Sequence, residues 1–319
     1  SREVYVSLRL RAQNHAGSLV SKGVEGLGKS FRVGGMERQG EDDYSFFSIM
    51  GTKNNTIINL DFDSSLRPYN SKTEQLPQTI VLNKNETYVA VFNGVNNDLF
   101  IGTLIESQNN DIVVNSGSII GSFSNQIIES PEFFSGEEDF GYLNGSDIGI
   151  DQLISLNPSV NATEYLLIKG DSFNSIENAL IIANDNNTLI YVNNSIMPIS
   201  LDAGEHIFVE GDQFTNNPSA SIEYLYLHSN KNIYVFQGTG KKGSAVGSFG
   251  NQQIHWYGAN QGMFFVPPLS CTNVGDVESI ARIDEVDDNS KFSGSLFVLR
   301  DVFLWHCWKK RYKAGQRSR

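Results

Sequence analysis

Cysteine is almost missing. Cys271 and Cys307 are the only two in 319 residues, too few for the disulfide framework that staples small secreted domains. A chain of this length can bury one large core or two ordinary ones without staples, so the scarcity fits an exported bacterial protein as well as a cytosolic one. Long apolar runs are missing too. Nothing reaches the roughly 18 residues that a membrane-crossing helix requires, so no membrane span is expected. There is no signal peptide and no initiating Met; the chain opens on "SREVYVSLRL", whose alternation reads as a strand already under way. It is therefore expected to be a fragment whose targeting segment, if it has one, lies upstream.

Positive charge is in short supply. The formal net charge is −12 and the pI is near 4.9; an acidic surface repels phosphate, which argues against nucleic acid as a partner. The deficit is uneven, because residues 300–319 hold seven Lys/Arg against Asp301 alone, so that residues 1–299 carry −18. Helical periodicity is nearly absent as well. Apolar residues alternate or form runs of four to seven rich in Val, Ile, Phe and Tyr, bounded by Asn, Asp, Gly and Ser, which is the pattern of strands and turns.

What the chain has in quantity is asparagine, 32 residues of it. Asn tolerates positive φ and closes turns with its own side chain, so "KNNT" (Lys53–Thr56) and "NDNNT" (Asn184–Thr188) read as hairpin turns, each Thr restarting a strand. A calcium loop would need a spaced ligand run with a closing Glu, which neither corner has. The two corners belong to a longer repetition. "GKSFRVGG" (Gly28–Gly35) parallels "TEYLLIKG" (Thr163–Gly170) at an offset of 135, and the Asn corners repeat at 132. "IVLNKNETYVAVF" (Ile80–Phe92) parallels "ISLDAGEHIFVEG" (Ile199–Gly211) at 119, and "LIESQNNDIVVNSG" (Leu104–Gly117) parallels "LYLHSNKNIYVFQG" (Leu225–Gly238) at 121. Four strings in one order predict an internal duplication. The expected fold is all-β: two tandem, internally repeated antiparallel sandwich-like units, with a β-propeller as the alternative. The expected divisions are a first unit over 1–124, a linker over 125–149, a second unit over 150–261, closing strands or the start of a third unit over 262–299, and an atypical basic tail over 300–319.

Candidate chemistry is sparse. "GVEGLGKS" (Gly23–Ser30) matches the phosphate-binding pattern G-x-x-x-x-G-K-[ST] to the letter, but that loop must open a helix whose N-terminus holds the phosphates. "SFRVGG" comes next here, so a glycine-rich turn entering a strand is expected and Lys29 has no phosphate to meet. "GTGKKGS" (Gly238–Ser244) lacks the required Lys. "GSAVGSFG" (Gly243–Gly250) holds no G-x-S-x-G elbow, and Cys271 has no neighbouring His and reads as a structural thiol. His15, His206, His228, His255 and His306 lack zinc-site spacing. Asp61 and Asp63 in "LDFD" would lie about 7 Å apart on one strand face, within the range for an inverting glycosidase; the competing reading is a strand end turning into a polar loop. "RIDEVDDNS" (Arg282–Ser290) reads as an acidic turn. Trp256 and Tyr257, in the Gly/Asn-rich stretch "IHWYGANQGMFF", are the candidate ligand-binding residues, because loop aromatics suit sugar stacking or a protein hot spot; plugging a gap between modules is the structural alternative. No catalytic, cofactor-binding or metal-binding residue is assigned.

In order, "EVYVSLRLRAQNHAGSLVSKGVEGLGKSFRVGG" (Glu3–Gly35), "GSDIGIDQLISLN" (Gly145–Asn157), "EYLLIKGDSFNSIENALIIANDNNTLIYVN" (Glu164–Asn193), "LDAGEHIFVEG" (Leu201–Gly211) and "GMFFVPPLSC" (Gly262–Cys271) resemble the domain found at the N-terminus of IgGFc-binding proteins. Bacterial versions of that domain occur in large exported proteins of gliding, Bacteroidetes-type organisms. The resemblance spans about residues 3–298. It implies a non-enzymatic, secreted or cell-surface binding or adhesion module, the leading part of a longer chain, with a protein or glycan ligand. The family supplies no catalytic constellation to carry over, and the animal members' IgG ligand does not transfer on strand patterns alone. A carbohydrate-binding or carbohydrate-active domain is the alternative function. After Leu299 the chain departs from the pattern: "RDVFLWHCWKKRYKAGQRSR" suits a membrane-surface anchor by its Trp and Lys/Arg content, or a frame-shifted or truncated end.

Overall fold

The computed structural model describes residues 7–12, 15–36, 44–69, 75–93, 99–119, 148–156, 161–170, 174, 177–193, 195–217, 222–238, 240–249, 252–259 and 263–271. Of the linker expected over 125–149, residues 125–147 lie outside the described residues and the last two open a strand; the acidic turn at 282–290 and the basic tail also lie outside them. The described chain is all-β, with 3-10 turns at Gly23–Gly26, Gly211–Gln213 and Leu269–Cys271. In chain order the strands are β1 (Ser7–Ala12), β2 (His15–Val20), β3 (Leu27–Gly28), β4 (Ser30–Arg32), β5 (Tyr44–Gly51), β6 (Thr56–Asp61), β7 (Thr79–Leu82) and β8 (Thr87–Asn93). Next come β9 (Leu104–Ser107), β10 (Ile112–Ile119), β11 (Ile148–Gln152), β12 (Glu164–Ile168), β13 (Asn178–Ala183), β14 (Thr188–Val192) and β15 (Ile199–Leu201). The last are β16 (His206–Glu210), β17 (Thr215–Asn217), β18 (Ile222–Ser229), β19 (Ile233–Gly238), β20 (Gly240–Phe249), β21 (Gln252–Ala259) and β22 (Phe264–Phe265).

The duplication is visible in the strand neighbours. One sheet runs β4-β9-β6-β7, and its counterpart runs β12-β18-β14-β15. The second sheet of the first half contains β8-β5-β10-β11, continuing to β2 and β1, and its counterpart runs β16-β13-β19-β22. Among the described residues none of these sheets closes on itself and none is a radial blade, so the propeller alternative fails in favour of open, mainly antiparallel sheets. One short pairing is parallel, between β2 and β11. Pairing also refines the offsets. Ser30 faces Glu106 and Glu164 faces His228, so β4 maps on β12 at 134 and β9 on β18 at 122, each one residue from the string match. The difference matters because a one-residue slip turns every side chain to the other face; in the true register Phe31 and Tyr165, both fully buried, are equivalent.

The Asn corners are not hairpin turns. β5 is flanked on both edges by β8 and β10, and β13 by β16 and β19. Neither strand has a free edge for its successor, so each corner carries the chain across to the opposite sheet, where β6 and β14 begin. Asn55 and Asn187 both take φ 56, the left-handed conformation that Asn tolerates. The next crossing, between β7 and β8 or β15 and β16, lies against the first and is tied to it by side chains. Asn54 Oδ1 accepts from Lys84 N at 3.1 Å and Asn186 Oδ1 from Ala203 N at 3.0 Å. In return Asn83 Oδ1 accepts from Asn55 N and Asp202 Oδ1 from Asn187 N. A third crossing joins in, with Asn109 and Asn230 accepting from Ile57 N and Leu189 N. The asparagines thus satisfy the backbone donors that a sheet-to-sheet crossing leaves unpaired.

Inward residues of both sheet pairs form one continuous core that includes Phe31, Phe47, Ile58, Tyr165, Ile181 and Phe236. Burying each such side chain contributes about 1.5–3 kcal/mol. The halves meet closely. Arg32 donates through Nη1 to Gly102 O and through Nη2 to Asn184 O, at the second corner, while burial pulls its guanidinium pKa down. Tyr234 accepts from Leu156 N and donates to Ser30 O, and burial pushes its phenol above the ordinary range. Asp151 accepts from Lys22 Nζ at 2.7 Å and Phe265 N at 2.8 Å, and Lys22 stands over the Phe265 ring.

Candidate binding face

Sheet β12-β18-β14-β15 has an inner face of Tyr165, Leu167, Leu225, Leu227 and Ile190, all buried. Alternation then turns Tyr224, Tyr226 and His228 of β18 outward, with Leu166 and Ile168 beside them through the β12 register and Tyr191 beside His228. The Tyr191 and His228 rings lie 5.8 Å apart. The Tyr226 phenol is held above its ordinary range, first by burial and then by the Glu164 carboxylate, which accepts from its hydroxyl. The result is an aromatic and aliphatic outer face with Glu164 at its margin.

The β14–β15 connection leaves the sheet where Asn193 meets the Tyr226 backbone. Ile196 is 94% exposed and Met197 76%, yet the loop is well tied. Ser195 N donates to Val192 O, Ser195 Oγ bridges Met197 N and O, and Asn193, at φ 48, bonds Tyr226 N and O and Gln213 O. Fixing the tip in advance lowers the ordering cost of using it in a contact. Neither the tyrosines of "IEYLYLHS" nor the tip was legible in the sequence, since alternation alone does not tell which set of side chains faces the core and "SIMP" does not tell where its tip lies.

The residues singled out by sequence fall elsewhere. Trp256 and Tyr257 lie not in an open connection but on β21, which pairs with β20 in a two-stranded ribbon, Trp256 opposite Ala245. Lys29 sits between β3 and β4; a strand, not a helix, starts at Ser30, so no helix N-terminus faces a phosphate there. Asp61 ends β6, and Asp63 lies beyond the strand, accepting from Ser65 N and Ser65 Oγ. Those bonds hold its carboxyl below the usual range, the reverse of what a general acid needs, so the two acids share no strand face. Among the described residues no group of three His, Cys, Asp or Glu side chains is gathered for a metal ion, and no helix is long and apolar enough to cross a membrane. Cys271 ends a 3-10 turn; His206 packs edge-on against Phe208.

No curated protein matches the chain, and no solved structure does. Residues 16–289 match the family described as IgGFc binding protein, a span that takes in every strand from β3 to β22 and the corners between the sheets. The chain belongs to the IgGFc-binding protein family.

Proposed function

We propose that the chain is a non-enzymatic, extracellular binding or adhesion module, and that it takes a protein ligand on the outer face of sheet β12-β18-β14-β15. The observation that carries this reading is the outward row of Tyr224, Tyr226 and His228 with Leu166 and Ile168 beside it, bonded at Tyr226 to Asn193 of a tied connection whose Ile196 and Met197 are exposed. Aromatic anchors with an exposed apolar neighbour are what protein hot spots are made of, and family membership supports a binding role. Immobilised IgG Fc is the first probe, because the family carries that description. An Fc signal lost in the Tyr226→Ala/Ile196→Ser variant supports the face; a signal unchanged by those substitutions refutes it.

The second reading is glycan binding through Trp256 and Tyr257. A glycan-array signal abolished by Trp256→Ala, with the sheet variant unaffected, favours it over the first.

A further inference from the structure

In the second half, three groups able to form a covalent cross-link converge. Lys169 comes directly after β12 and its amide extends the ladder by donating to Glu223 O at 2.9 Å. Its side chain is only 8% exposed, and Nζ lies 2.5 Å from Glu223 Oε2 and 2.6 Å from Asn174 Oδ1. Asn174 is fixed by its own carbonyl, which accepts from Gly211 N. Glu177, fully buried, accepts from Gly170 N through Oε2. Gly211 is held close by the same packing, since a Cβ there would stand 2.8 Å from Asn174 Cα and 3.0 Å from Glu177 Cβ. The amide carbon of Asn174 is one C=O bond, about 1.2 Å, beyond Oδ1, so the amine stands no more than about 3.8 Å from the atom it would attack, a short closing movement from a near-attack geometry. The first half has Gly35 and Ile101 at the corresponding ladder positions, so the constellation belongs to the second half alone.

We propose that Lys169 and Asn174 become joined by an intramolecular isopeptide bond, with Glu223 as the proton carrier. The Glu223 carboxylate takes a proton from the Lys169 ammonium, and the freed amine attacks Asn174 Cγ. The new C–N bond forms as the Cγ–Nδ2 bond breaks. Glu223 returns its proton to the departing nitrogen, and the second amine proton leaves with it, so that ammonium is released and one secondary amide remains. No oxidant, reductant or cofactor enters. The bond would close a loop from Lys169 to Asn174 within the connection between β12 and β13, at the end of the second half away from the Asn corner.

The test is the intact mass of the purified chain under denaturing conditions, with tryptic mapping of the same sample. The expected result is a mass lower than the sequence mass by one ammonia, about 17 Da, no cleavage after Lys169, and a fragment spectrum placing the loss on the Lys169–Asn174 pair. Lys169→Arg and Asn174→Ala should restore the full mass of each variant, and Glu223→Gln should leave most chains uncross-linked. A wild-type chain at its full sequence mass overturns the proposal even if the variants fold poorly. So does tryptic cleavage after Lys169, or an ammonia loss that persists in Lys169→Arg.

Discussion

Replacing Gly102 by Ala tests how tightly the two halves approach. Gly102 takes φ +85, and a Cβ placed on it would stand 2.0 Å from Gly204 O and 3.0 Å from Gly204 C. Both neighbours are backbone, which cannot swing aside as a side chain would. The left-handed conformation costs an alanine about 1–2 kcal/mol, and forcing a methyl into a packed contact adds about 1–3 kcal/mol. The sum, about 2–5 kcal/mol, corresponds to a fall in Tm of about 3–8 °C for a chain of this size. Gly23→Ala is the control, because Gly23 has φ +60 with nothing within 4 Å of the added Cβ, so it carries the backbone term without the clash. Thermal unfolding monitored by circular dichroism reads both. Gly102→Ala should melt well below Gly23→Ala; if the two melt together, the close backbone approach between the halves is refuted.

Asp151→Ala removes the partner of Lys22 and should cost about 2–4 kcal/mol near neutral pH, discounted from the fully buried case because a fifth of the Lys22 side chain is in solvent. Burial holds the folded Lys22 pKa below 10.5 and Asp151 opposes that fall. The unfolded chain therefore binds the extra proton between the two values and stability rises with pH across that window. Without Asp151 the window widens downward. The variant's deficit in urea unfolding should shrink as pH rises toward 10.5, and a deficit independent of pH would show that the ion pair is not its cause. At the corners, Asn187→Gly should be nearly neutral and Asn187→Ala should cost about 1 kcal/mol, with Asn55 behaving alike; equal costs for Gly and Ala would deny the left-handed conformation.

The repetition was legible because turn residues and core alternation are local properties: "NNT" announces a left-handed Asn wherever it stands. The destination of the chain beyond each turn was not legible. Whether a corner closes a hairpin or crosses to another sheet depends on whether β5 and β13 have a free edge, and β8, β10, β16 and β19 come from far along the chain. The same remoteness explains the one-residue slips, since string similarity tolerates them and side-chain facing does not. At the candidate site, Trp256 and Tyr257 stood out by residue type within a Gly/Asn-rich stretch, yet they pair as a strand. Tyr224 and Tyr226 became notable only once their neighbours Leu225 and Leu227 were seen to fill the core. The Lys169, Asn174 and Glu223 cluster spans three elements and has no local pattern at all.

Disulfide trapping tests the sheet-to-sheet crossing most directly. Neighbouring strands place paired Cα atoms about 4.5–5.5 Å apart, whereas facing sheets are about 10 Å apart, beyond the reach of a disulfide. With Cys271 and Cys307 replaced by Ser, the Leu189→Cys/Ser200→Cys and Ser48→Cys/Asn115→Cys pairs, adjacent in register, should oxidise readily. The hairpin-type pairs Ile182→Cys/Leu189→Cys and Met50→Cys/Ile57→Cys should stay reduced. Ready oxidation of the second set, with the first set remaining reduced, would contradict the architecture.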